Sequence, residues 1–142
     1  MTIAKILRGR DGTVMSVQTG TAVADVVRLL AEHRIGAVPV MTGDQVAGIL
    51  SERDIVYRLA AEGAALIERT AGDVMTAPAI TVTSDMPILV ALSLMTRRRI
   101  RHLPVVDGDH MVGFVSIGDL VKHRIDGIEA EASALRDYIS SS

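Results

Sequence analysis

Apolar residues along this chain fall into two rhythms, and each rhythm occurs twice. Val23, Val26, Val27 and Leu30 stand at i, i+3, i+4 and i+7, the spacing of one buried helix face; Ile88, Ala91, Leu92 and Met95 reproduce it. After each helical stretch come two β-rich runs. The first pair is 37–41 and 45–50, joined through Thr42, Gly43 and Asp44; the second is 102–106 and 110–115, joined through Asp107, Gly108 and Asp109. A short Gly-bearing link between such runs predicts a hairpin. A brief β-type run precedes each helix, at 13–17 and 78–82, and a second helix begins near Ser51 and again near Ser116. Pro87 suits a first helical turn. Pro39 and Pro104 predict an edge position or a break in strand pairing. The unit is β-α-β-β-α, twice.

The two units align without a gap at an offset of 65 residues, from Val14/Ala79 to Arg58/His123. Identical pairs include Leu29/Leu94, Arg34/Arg99, Pro39/Pro104, Gly48/Gly113, Ser51/Ser116 and Asp54/Asp119. A unit this short is marginal as an independent core, so the repeats are expected to bury their sheets against each other. The fold class is α/β (α+β): two pseudo-symmetric repeats with equivalent clefts between them. The expected division is 1–63 for an N-terminal segment and repeat 1, 64–77 for a packed connector, 78–126 for repeat 2, and 127–142 for a C-terminal helical extension. Small helical stretches are expected at 4–7 and 70–75. In the last helix Val121, Ile125, Ile128, Ala132, Leu135 and Ile139 alternate by fours and threes. That seam reads either as packing on the protein's own body or as a self-association helix, and the second, as a homodimer, is the expectation; Gly127 weakens the helix by about 1 kcal/mol relative to Ala.

Composition narrows the function. Hydrophobic residues are 49% of the chain and aromatic ones 2%, so the core is aliphatic. A net charge of −2 offers no footprint for nucleic acid. The run of Arg97, Arg98, Arg99 and Arg101 reads as an exposed helix end. No cysteine is present, which removes disulfides and thiol chemistry. No apolar run approaches the roughly 20 residues of a membrane span. The start of the chain lacks a secretory pattern, so a cytoplasmic protein is expected. No nucleophile–base pair, phosphate-binding Gly loop or metal spacing is present, so no enzyme and no metal site is expected.

The chemistry concentrates in G-I-L-S-E-R-D at 48–54 and G-F-V-S-I-G-D at 113–119. Each places S-x-x-D where a strand turns into a helix. The helix start offers free N–H groups and a positive dipole end, suited to phosphate. The Asp suits ribose hydroxyls, and the Ser suits either group. The preceding Gly allows close backbone approach. The competing reading is a helix-capping box, with Asp in place of the usual Glu.

Together with I-G-A-V-P-V at 35–40 and I-R-H-L-P-V at 100–105, these motifs resemble tandem CBS domains, named after cystathionine beta-synthase, over about residues 1–139. The resemblance implies a regulatory pair that binds an adenosine-containing ligand: AMP first, otherwise ADP, ATP, NAD(H) or S-adenosylmethionine. One cleft, B, would hold ribose on Ser116 and Asp119, beside Val115 of the same turn, with Val14, Met15, Ile35, Gly36 and Ala37 around the base. Arg101 and His102 stand where the regulatory gamma subunit of AMP-activated kinase has a His-Arg pair on phosphate, in reversed order. The other cleft, A, would use Ser51 and Asp54, with Ile80, Ile100, Arg101 and His102 near the base and Arg53 as its phosphate partner. The resemblance therefore favours cleft B for phosphate. The alternative function is a structural dimerisation module with vestigial clefts.

Overall fold

The structure is a computed structural model, and it describes residues 1–141. A short helix α1 (Ile3–Arg8) precedes β1 (Val17–Gln18), α2 (Val23–His33), the hairpin β2 (Ala37–Thr42) and β3 (Gln45–Ser51), and α3 (Glu52–Glu62). A 3-10 turn (Gly63–Glu68) and α4 (Ala71–Val74) lead to α5 (Ile88–Arg98), the hairpin β4 (His102–Asp107) and β5 (His110–Ser116), and α6 (Ile117–Ser141). The two hairpins share one register: Ala37 faces Ser51 and His102 faces Ser116, and each carries a bulge after Val40 or Val105. Gly43 and Gly108 take positive φ in the two-residue turns, a conformation that costs glycine least. β3 of one repeat lies against β5 of the other.

The leading strands are shorter than expected. β1 keeps only Val17 and Gln18, parallel to Val40 and Met41; in repeat 2 a single bridge joins Val82 to Val105. The residues just ahead of them cross the clefts instead of running beside a strand: Thr13, Val14 and Met15 on one side, Pro78, Ala79 and Ile80 on the other. Pro39 and Pro104 each stand one residue before the position that gains a second strand neighbour. Their missing N–H therefore leaves no ladder bond unmade.

Two aliphatic cores form, and their membership crosses the sequence boundaries. Ile3 and Ile6 of α1 are buried with Ile88, Met95, Leu103, Val105, Val115 and Leu120 of the second repeat. Leu66, Ala71 and Val74 of the connector are buried with Val23, Val26, Val38 and Leu50 of the first. The backbone pairing is the same in both places. Ala71 N donates to Thr21 O and Gly72 N to Thr19 O; Ile3 N donates to Met86 O and Ala4 N to Ser84 O, which are the same positions one repeat later. The chain before each repeat thus completes the core of the other. α1 belongs with the second repeat, not with the segment that follows it.

The glycine ahead of each S-x-x-D serves this crossing. A Cβ on Gly48 would lie 2.6 Å from Thr76 O, and one on Gly113 would lie 2.5 Å from a Leu7 methyl. The close approach expected there for a ligand is taken by the chain itself. α2 and α5 end on Arg34 and Arg99, both left-handed at φ 52° and 54°. That conformation costs a non-glycine residue roughly 1–2 kcal/mol.

α6 leaves the body of the fold. Over its length of about 38 Å it buries only Leu120, and Val121, Ile125, Ile128 and Leu135 are exposed. A Cβ on Gly127 would meet the Met1 side chain at 3.2 Å, so this glycine makes room for the start of the chain.

Candidate functional site

Both S-x-x-D sequences fold as capping boxes. In the first, Ser51 N and Ser51 Oγ donate to Asp54 Oδ2 at 3.0 Å each, and Asp54 N donates back to Ser51 Oγ at 3.2 Å. In the second, Ser116 N donates to Asp119 Oδ2 at 2.8 Å, and Asp119 N to Ser116 Oγ at 3.1 Å. The capping reading is therefore correct for both copies, and it does not compete with a site. A cap fixes the rotamers of Ser and Asp at the mouth of a cleft.

Cleft B has a volume of about 450 Å3, and cleft A about 360 Å3. Both lie within the range of small-molecule sites, roughly 300–1,000 Å3. Val14, Met15, Ile35, Gly36, Ala37, His102, Ser116 and Asp119 line cleft B, bringing together most of the residues expected there. Ser51, Arg53, Asp54, Ile80, Ile100, Arg101 and His102 line cleft A. Two expectations fail. Arg101 lines cleft A and not cleft B. Val115 is fully buried in the second core, because alternate residues of β5 face opposite sides and its neighbours take the cleft side. Gly36 and His102 belong to both linings and form the wall between the clefts.

Several lining residues carry no motif and escaped sequence reasoning. Arg34 lines cleft B and Arg99 lines cleft A, each from its strained helix end. Their identity at the 65-residue offset was the available signal. Phe114 stacks on His102 in cleft B, ring centres 5.6 Å apart and planes 11° from parallel. Burial holds the His102 imidazole below its ordinary pKa, against the opposing pull of Asp119 and Glu52. Tyr57 and Thr76 join cleft A.

The two carboxylates differ in what holds them. Thr76 Oγ1 donates to Asp54 Oδ1 at 3.0 Å. Arg10 takes the matching place in cleft B: its Nη2 lies 3.0 Å from Asp119 Oδ2, and its Nη1 donates to Phe114 O at 2.8 Å. Arg10 thus belongs to cleft B. Burial raises the Asp119 carboxyl, but the Ser116 N–H and the Arg10 guanidinium outweigh it and hold the group below the usual carboxylate range. Among the described residues no cluster of His, Asp and Glu could hold a metal ion.

Comparison with known proteins decides the family. The CBS domain model matches residues 12–61 and 71–126. The chain belongs to the CBS domain family. A mitochondrial CBS domain-containing protein of Arabidopsis thaliana, CBSX3, is 36% identical over 97% of this chain and 71% of its own length. A solved CBS-domain structure from Burkholderia ambifaria MC40-6 superposes with TM-score 0.83 at 36% identity, over 89% of this chain and 95% of that one. The CBS pair of MJ0100, solved with 5′-methylthioadenosine and S-adenosyl-L-methionine, shares the fold at TM-score 0.75 and 22% identity, over 86% of this chain and 98% of that one. In this CBS pair no helix among the described residues is long and apolar enough to cross a membrane.

Proposed function

We propose that this CBS pair is a ligand-sensing module that binds adenosine-containing molecules in its two clefts and catalyses no reaction on them. The observation that carries the reading is the repeated geometry. Each cleft joins an apolar wall to a helix N-terminus whose Ser and Asp are already oriented, so little ordering cost remains when a sugar hydroxyl arrives. That a CBS pair of the same fold was solved with methylthioadenosine and S-adenosylmethionine supports the ligand class.

Phosphate preference follows the arginines. Arg53, Arg99 and Arg101 surround cleft A with Glu52 and Asp54. Cleft B has Arg34 and an Arg10 already paired to Asp119. Cleft A is therefore the better phosphate site, the reverse of the order suggested by the family motif. AMP remains the first ligand to try, followed by ADP, ATP, NADH and S-adenosylmethionine.

Thermal unfolding with that panel tests the reading. A ligand at 100 times its Kd stabilises the fold by about 2.7 kcal/mol. The Asp54→Ala and Asp119→Ala variants should each lose part of the shift, and the double variant all of it. A panel that moves the melting temperature of none of these proteins would leave a purely structural module.

A further inference from the structure

Thr76 and Arg10 hold equivalent carboxylates, but only one of them carries charge. Thr76 reaches Asp54 Oδ1 and leaves Oδ2 to the cap. Arg10 adds to Asp119 Oδ2, the oxygen that the Ser116 N–H already occupies, and is held from its other side by Phe114 O. A sugar diol takes both oxygens of a carboxylate. In cleft A it displaces a hydroxyl hydrogen bond; in cleft B it must compete with an ion pair.

We infer that the N-terminal arm is a built-in competitor for cleft B, in which Arg10 occupies Asp119 until a ligand displaces it, so that cleft A fills first. This rests on the proposed binding of adenosine ligands in the clefts. The arm reaches cleft B because α1 packs in the second core, which anchors Arg10 two residues beyond the end of that helix. Both partners are about one-third exposed, at 38% and 34%, so the competition is modest and sensitive to salt.

Adenosine, which has no phosphate for Arg10 to follow, isolates the effect. The full chain carrying Asp54→Ala, with cleft A disabled, is titrated by calorimetry with and without Arg10→Ala. Removing Arg10 should tighten adenosine binding about threefold to fivefold at low salt. Added sodium chloride should tighten binding when Arg10 is present and leave the Arg10→Ala protein unchanged. Arg10→Gln, which keeps a donor for Phe114 O without the charge, should behave like Arg10→Ala and serves in its place if that variant unfolds. Equal or weaker adenosine binding after Arg10 is removed overturns the competitor while leaving the nucleotide reading intact. Absence of binding by AMP and adenosine in every variant and in the wild type overturns both.

Discussion

Gly48 and Gly113 occupy the same place in the two repeats, yet they lean on different partners. The atom nearest a Gly48 Cβ is the carbonyl oxygen of Thr76, whose residue exchanges backbone hydrogen bonds with Ile49 in both directions. The atoms nearest a Gly113 Cβ belong to the Leu7 side chain, which has other rotamers. Overpacking typically costs about 1–3 kcal/mol. Gly48→Ala should fall at the upper end of that range and Gly113→Ala near the lower, measured by urea unfolding. Equal losses would mean that Leu7 is as fixed as backbone. The pair also shows where motif reading misleads. A small residue beside S-x-x-D suggests room for a ligand, but the room is filled by the segment at Thr76 in one case and by α1 in the other.

At the scale of elements, α6 is the outlier. Its exposed Val121, Ile125, Ile128 and Leu135 follow the heptad-like spacing read from the sequence, and only Leu120 of the helix is buried. An apolar face of this kind is lost to water unless something covers it, and a second copy of the chain is the proposed cover. Ile125→Glu with Ile128→Glu should shift the protein toward monomer in sedimentation equilibrium while leaving its far-ultraviolet circular dichroism unchanged. An unchanged mass would remove α6 from the association surface. Helices and hairpins were legible in sequence because their periodicities of 3.6 and 2 extend over many residues. The leading strands were not, because β1 and the Val82 bridge are too short for a period. Thr13, Val14 and Ile80, just ahead of them, are β-branched too, yet they line a cleft.

For the whole molecule, the 65-residue offset revealed the duplication but not which segment packs with which core. Offset reports likeness, whereas packing is set by distance in space, and the exchange of α1 for α4 leaves no mark in spacing. It makes a distinct prediction. Ile3 is fully buried in the second core, and Ile3→Ala should cost about 2–4 kcal/mol. Hydrogen exchange should then quicken first in His102–Asp107 and His110–Ser116, far along the chain. Faster exchange confined to β2 and β3 would place α1 with the wrong repeat. The clefts were legible in part for the same reason. The apolar and S-x-x-D residues come from within each repeat, whereas Arg10 and Thr76 arrive by way of the exchanged segments.

That exchange also sets an order of events during synthesis. The first repeat can close its core once α4 has left the ribosome, soon after its own strands. Ile3 and Ile6 emerge ahead of the first repeat, but Leu103, Val105, Val115 and Leu120, their partners, emerge only with the second. Helix α1 thus waits for its core while the first repeat is completed, and Arg10 cannot meet Asp119 until the second repeat has been made.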